Sequence, residues 1–215
     1  METQQIHQGQ PILTTGAPLD QARAAMIMIH GRGATADSIL ELTTEFEQPD
    51  FAYIAPQAAG NTWYPYPFTA PLERNEPYLS SALSTIESIV AHLATNGISA
   101  ERTLILGFSQ GACLSLEFAA RHAQRYGGVI GLSGGLIGPD GTPRNYPGSF
   151  DGTPIFLGCS DRDPHIPKQR VEETAVILKQ LGGEVTMRLY PNMGHTVNRD
   201  EIVFINAMMA DLVAK

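Results

Sequence analysis

Two serines in this 215-residue chain stand in the pattern G-x-S-x-G: Gly107-Phe-Ser109-Gln-Gly111 and Gly131-Leu-Ser133-Gly-Gly135. In that pattern a serine sits on a sharp strand-to-helix turn, where a bulky neighbour two residues away would clash, and its hydroxyl is held out for attack. A hydroxyl is a poor nucleophile at neutral pH until an imidazole takes its proton. A carboxylate must then hold that imidazole in one tautomer and stabilise its charged form. The chain offers both partners downstream, acid before histidine, in Asp161-Arg-Asp163-Pro-His165 and in Met193-Gly194-His195. Together these residues could carry out acyl transfer through a covalent acyl-serine.

Context separates the two serines. Ser109 is followed by QGACLSLEFAARHA, dense in helix formers, so a helix N-terminus would aim its amides at the reacting oxygen. Ser133 is followed by GGLIGPDGTPRNYPG, which cannot be a helix, and reads as a tight turn. Among six histidines, His7 precedes the sheet, His92 and His122 fall in helical stretches and His165 sits beside the acid; each reads as a surface or capping residue. His195 alone follows the last strand. Asp163 is favoured over Asp161 because the proline after it biases it to an extended conformation, Asp161 being then a solvated or loop-bracing carboxylate.

A tetrahedral intermediate also needs preorganised N–H donors. The Gln110 amide would supply one, and His30-Gly31-Arg32-Gly33 the other through the Arg32 amide, with His30 a loop brace. A plain turn is the alternative. Residues Gly31 to Ala36 also read G-x-G-x-x-A, so a dinucleotide-binding Rossmann domain is a rival. It calls for an acid ending the second strand, where the chain has Ala55-Pro56-Gln57. A third reading, a non-catalytic receptor, requires a missing member of the triad, and none is missing.

The elements that must position these residues are legible as apolar runs. Ala24–Ile29, Phe51–Ala55, Thr103–Phe108, Gly128–Leu132, Pro154–Gly158 and Glu184–Tyr190 are mostly near-continuous, as in strands buried on both faces. Helix-like stretches at Ser38–Glu47, Leu79–Thr95, Gln110–His122, Lys168–Leu181 and Arg199–Ala214 alternate with them, so the fold expected is α/β, a mostly parallel sheet with helices on both sides. Capping-box spacing marks Ser38 with Glu41 and Asn198 with Glu201. An edge hairpin is expected before Gln21. Two long segments, Pro56–Pro77 and Ser133–Pro154, are expected to wall a cleft.

Length and composition predict one domain over residues 1–215, with 43% hydrophobic and 17% charged residues. A net charge of −8 with no basic cluster speaks against nucleic acid. No apolar run reaches the roughly 20 residues of a membrane span, and the N-terminus lacks a signal pattern, so no stable membrane insertion and a cytoplasmic location are expected. Cys113 and Cys159 read as buried free thiols. A homodimer is left open.

Taken together, Met26–Gly33, Gly-Phe-Ser109-Gln-Gly-Ala112, Asp163-Pro164 with Ile166-Pro167, and Tyr190 to His195 resemble the phospholipase/carboxylesterase family of small α/β-hydrolases, from about Ala24 to Lys215. The resemblance implies an α/β-hydrolase fold with little or no cap, a Ser109, Asp163, His195 triad, Arg32 and Gln110 amides as oxyanion donors, no cofactor and no metal. It implies hydrolysis of small or medium carboxylic esters, with thioesters or lysophospholipids as alternatives. The thioesterase members commonly carry leucine at Arg32 and His-Gly at Cys159-Ser160, a departure that weighs against a protein thioester. Trp63, Tyr64, Tyr66 and Phe68 are expected either to form an aromatic wall at the substrate site, with Met193 beside it, or to be buried aromatics of a satellite core. The Arg32 side chain is expected to be solvated or Asp-paired, with an anionic substrate group as the alternative.

Overall fold

The computed structural model describes residues 5–214. Seven strands, β1 (Ile12–Gly16), β2 (Ala24–Ile29), β3 (Phe51–Pro56), β4 (Thr103–Phe108), β5 (Gly128–Leu132), β6 (Pro154–Ser160) and β7 (Glu184–Tyr190), form one sheet in the order β1-β3-β2-β4-β5-β6-β7. Only β1 runs antiparallel. Five helices accompany it: α1 (Ala36–Leu40), α2 (Tyr78–Thr95), α3 (Gln110–Arg121), α4 (Lys168–Gln180) and α5 (Arg199–Ala214).

The continuous apolar strands are explained by their two faces. In β2, Ala25, Ile27 and Ile29 pack into one core with α2, α3 and α4, while Ala24, Met26 and Met28 pack into a second with α1 and α5. Both sets are wholly buried, and each large side chain so removed from water contributes about 1.5–3 kcal/mol. The register aligns Phe108 with Leu132, Leu132 with Gly158, and Gly158 with Arg188. The residues following β4, β5, β6 and β7 therefore emerge along one edge of the sheet.

Four expectations are corrected. The edge hairpin is a lone exposed strand, because β3 lies between β1 and β2 in the sheet. The stretch expected as helix Ser38–Glu47 is five residues of α-helix followed by a 3₁₀ turn over Glu41–Glu45, where the Thr43 and Thr44 hydroxyls donate to the Leu40 and Glu41 carbonyls three residues back. Its cap is Thr35, paired reciprocally with Ser38 rather than Ser38 with Glu41. The Asn198–Glu201 box forms as expected, at 2.8 and 3.0 Å.

The third correction concerns the segment Ser133–Pro154, which does not line the cleft at Ser109. Buried charge holds it against α3 and α4 instead. Glu117 accepts from the Ile137 amide and the Tyr146 hydroxyl, and Arg170 donates to the Leu136 and Gly138 carbonyls and to Asp140. The fourth is His7, which is buried rather than at the surface, its ring bridging the Trp63 carbonyl and the Ala59 amide.

Candidate active site

Ser109 ends β4 and caps α3 with φ +56°, a left-handed conformation that L-residues adopt only under constraint. The glycines around it explain how the chain tolerates this. A Cβ on Gly107 would run into the Gly111 carbonyl, and one on Gly111 into the carbonyls of Ile29 and His30. The first turn of α3 is thereby pressed onto the end of β2.

The downstream partners converge on this turn. His195 Nε2 lies 2.8 Å from Ser109 Oγ, and its Nδ1 lies 2.7 Å from Asp163 Oδ2. With the proton on Nδ1, the imidazole donates to Asp163 and accepts from the serine hydroxyl. The Asp163 carboxyl is out of solvent, and its Oδ1 accepts from the His165 and Ile166 amides at 2.8 and 3.0 Å. Burial pushes the Asp163 pKa up. The hydrogen bonds from His195, His165 and Ile166, with the His195 charge, outweigh it and hold the group below its ordinary value, so it stays ionised. Asp161 instead accepts from the Asn192 amide, bracing the acid loop to the histidine loop.

Among the described residues neither the Arg32 nor the Gln110 amide donates to a protein acceptor, so both are free to receive an oxyanion. The Arg32 side chain is exposed, as expected of a solvated arginine, and among the described residues it has no Asp partner. It donates to the carbonyls of Tyr64, Pro65 and Tyr66 at 2.9–3.0 Å and so clamps the aromatic loop. His30 is a brace. Nδ1 donates to the Gly31 carbonyl and Nε2 accepts from the Ala58 amide, while burial lowers its pKa and keeps it neutral.

A cleft of about 620 Å³ opens over Ser109 and His195, lined by Tyr64, Phe68, Phe108, Cys113 and Ile166 among others. Trp63 is not among its lining residues. It is wholly buried, its indole N–H donates to the His30 carbonyl, and its own amide donates to the Gln110 side chain, which in turn donates to the Tyr64 carbonyl. Trp63 thus anchors the wall from behind while Tyr64 and Phe68 face the cleft. Met193 is absent from the lining as well; its sulfur accepts from Asn198. Cys113 does line the cleft, but burial pushes its thiol up to about 12, so no thiolate competes with the serine.

Sequence reasoning missed Phe108, whose ring lies 5.0 Å from that of His195, and His165, whose ring lies 4.8 Å from it edge-on. An aromatic before the elbow serine was a signal for the first; the second had none beyond its place next to the acid.

Comparison with known proteins bears on the family and the fold. A family model described as phospholipase/carboxylesterase matches residues 11–212. The chain belongs to that family. A solved phospholipase/carboxylesterase from Dyadobacter fermentans superposes with a TM-score of 0.90 at 42% identity, covering 94% of this chain and 97% of that one. An acyl-protein thioesterase 1 of Saccharomyces cerevisiae is 27% identical over 88% of this chain and 93% of its own length. One of Gibberella zeae is 30% identical over 64% of this chain, a match that spans 60% of that relative. The fold is that of the α/β-hydrolases, and the chain is a carboxylic-ester hydrolase. The rival dinucleotide-binding reading falls with this assignment.

Proposed function

We propose that the chain is a single-domain serine carboxylesterase in which Ser109 attacks the ester carbonyl, His195 carries its proton to the departing alcohol, and Asp163 holds and stabilises the imidazolium. The Arg32 and Gln110 amides receive the oxyanion. Water, deprotonated by His195, then releases the acyl group and restores the serine. The observation that supports this reading is the continuous hydrogen-bonded run from Asp163 through His195 to Ser109, at 2.7 and 2.8 Å.

The substrates are small or medium uncharged esters. No lysine lines the cleft among the described residues, and the one arginine there, Arg32, is spent on backbone carbonyls. A thioester of the same acyl group is the second reading, favoured by the relatives that bear that name. The reading further takes the enzyme as cytoplasmic, in keeping with two buried free thiols. It acts without nucleic acid, in keeping with the acidic balance. No described helix is long and apolar enough to cross a membrane.

A fluorophosphonate should label Ser109. Ser109→Ala should lose at least about 10⁴-fold in kcat on p-nitrophenyl acetate, and Ser133→Ala should keep turnover. Retained turnover in the first variant, or label on Ser133, removes the assignment. A histidine base works only unprotonated, so acid that protonates it should abolish turnover.

A further inference from the structure

The polar side chains that line the cleft are nearly all engaged. Arg32 donates to three carbonyls, the Gln110 amide side chain holds Trp63 and Tyr64, the Tyr64 hydroxyl reaches the Gln110 carbonyl, and Ser109 and His195 hold each other. The rest of the lining is largely apolar, with Ala34, Pro65, Pro67, Phe68, Phe108 and Ile166. His165 is the exception. It is exposed, it lines the cleft, and among the described residues its ring nitrogens have no hydrogen-bond partner in the protein.

Its backbone is also held in place. The His165 amide donates to Asp163 Oδ1 at 2.8 Å, so the ring stands on the same turn as the acid, edge-on to His195 at 4.8 Å. His195 is the group that returns a proton to the departing oxygen. An exposed polar side chain beside that ring is placed to meet the departing alcohol, whereas the apolar lining suits the acyl half.

We infer that His165 is a leaving-group recognition residue, whose imidazole hydrogen-bonds an oxygen carried by the alcohol and so selects esters of hydroxylated alcohols over esters of plain alkyl alcohols. This rests on the triad assignment above and adds the class of alcohol. His165 takes no part in bond making. It binds the alcohol while Ser109 and His195 exchange the acyl group and proton.

The test is an isosteric pair, 2-hydroxyethyl butanoate and propyl butanoate, which differ by a hydroxyl in place of a methyl. Wild type should prefer the hydroxylated ester in kcat/KM by roughly 3- to 10-fold, the range of one exposed neutral hydrogen bond. His165→Leu should bring that ratio to about 1, and His165→Asn, which keeps a donor and an acceptor, should retain part of it. The ratio is taken within one preparation, so it is insensitive to the fraction of folded enzyme. No preference in wild type, an unchanged ratio in His165→Leu, or equal losses on both esters overturns the inference, the last by making His165 only a packing wall for His195. Ser109→Ala separates the two levels of failure. If it still hydrolyses both esters the triad assignment itself has failed, whereas its inactivity with an unmoved ratio in His165→Leu defeats this inference alone.

Discussion

Ser109 and Ser133 occupy two copies of one motif and could hardly differ more in surroundings. Each ends a strand at positive φ, +56° and +54°, and each amide donates to a carbonyl of the next strand, Leu132 and Gly158. After Ser109 a helix begins at once and a histidine meets the hydroxyl. After Ser133 the chain enters a long irregular segment, and the hydroxyl is wholly buried with no hydrogen-bond partner. The motif makes a turn; in the function proposed above, the helix behind it and the imidazole in front of it make the nucleophile.

The glycines sharpen this contrast. Around Ser109 an added Cβ meets backbone, the Gly111 carbonyl for Gly107 and the Ile29 and His30 carbonyls for Gly111. At the second turn the Gly131 Cβ meets the end of a side chain, Leu116 Cδ1 at 2.7 Å. Backbone carbonyls held by a strand and a helix turn give way far less than the end of a side chain, which can shift to another rotamer. Gly107→Ala and Gly111→Ala should therefore cost about 3 kcal/mol or more, lowering Tm by roughly 6–12 °C. Gly131→Ala should cost about 1 kcal/mol, or roughly 2–4 °C. Thermal melts of the three variants decide it, and equal losses at both turns would erase the distinction.

The same contrast shows how far a sequence discloses a site. The strand at Ala24–Ile29 and the helix at Arg199–Ala214 are legible because burial on both faces writes a continuous apolar run, and a cap writes Asn and Glu at fixed spacing. Ser109 and His195 are legible because an elbow and a final loop stand at definite places in the chain order. Trp63, Arg32, His7 and His165 escape such reasoning. Their roles come from contacts between loops, such as His7 to Trp63 across 56 positions or Arg32 to Tyr64 across 32. No periodicity encodes which way a loop side chain points. Thr35 and Ser38 are both good caps by residue type, and only the backbone decides between such neighbours.

Glu201 probes the support under the second turn. Its Oε1 has no hydrogen-bond partner and presses on Gly158, whose carbonyl receives the Ser133 amide, while Asn198 donates to Oε2. Burial pushes its pKa up to about 7, with the Asn198 bond opposing and the Asp200 charge adding. The folded protein therefore holds this proton where the unfolded chain, near the ordinary 4.5, has released it. Stability from this group is greatest below about pH 4.5, declines as pH rises towards about 7, and is level beyond. Glu201→Gln, which cannot ionise, should remove about 2 kcal/mol of that decline. Denaturant melts at several pH values give the two slopes; parallel curves would mean that the carboxyl ionises freely in the fold.

The smallest effect is the most pointed. Ser133 carries a left-handed conformation and a buried hydroxyl without a partner, two costs with no visible return. Ser133→Gly removes both, against the extra chain entropy of glycine when unfolded, and should gain about 1 kcal/mol, or roughly 2–4 °C in Tm. Ester turnover should be unchanged, since Ser133 does not line the cleft. Ser109→Gly relieves the same backbone strain and should also raise Tm, but at the loss of turnover, because there the strain holds the proposed nucleophile against His195. A Tm that falls in Ser133→Gly would show that the second turn uses its side chain after all, and the two copies of the motif would then differ in the partner they serve rather than in whether they serve one.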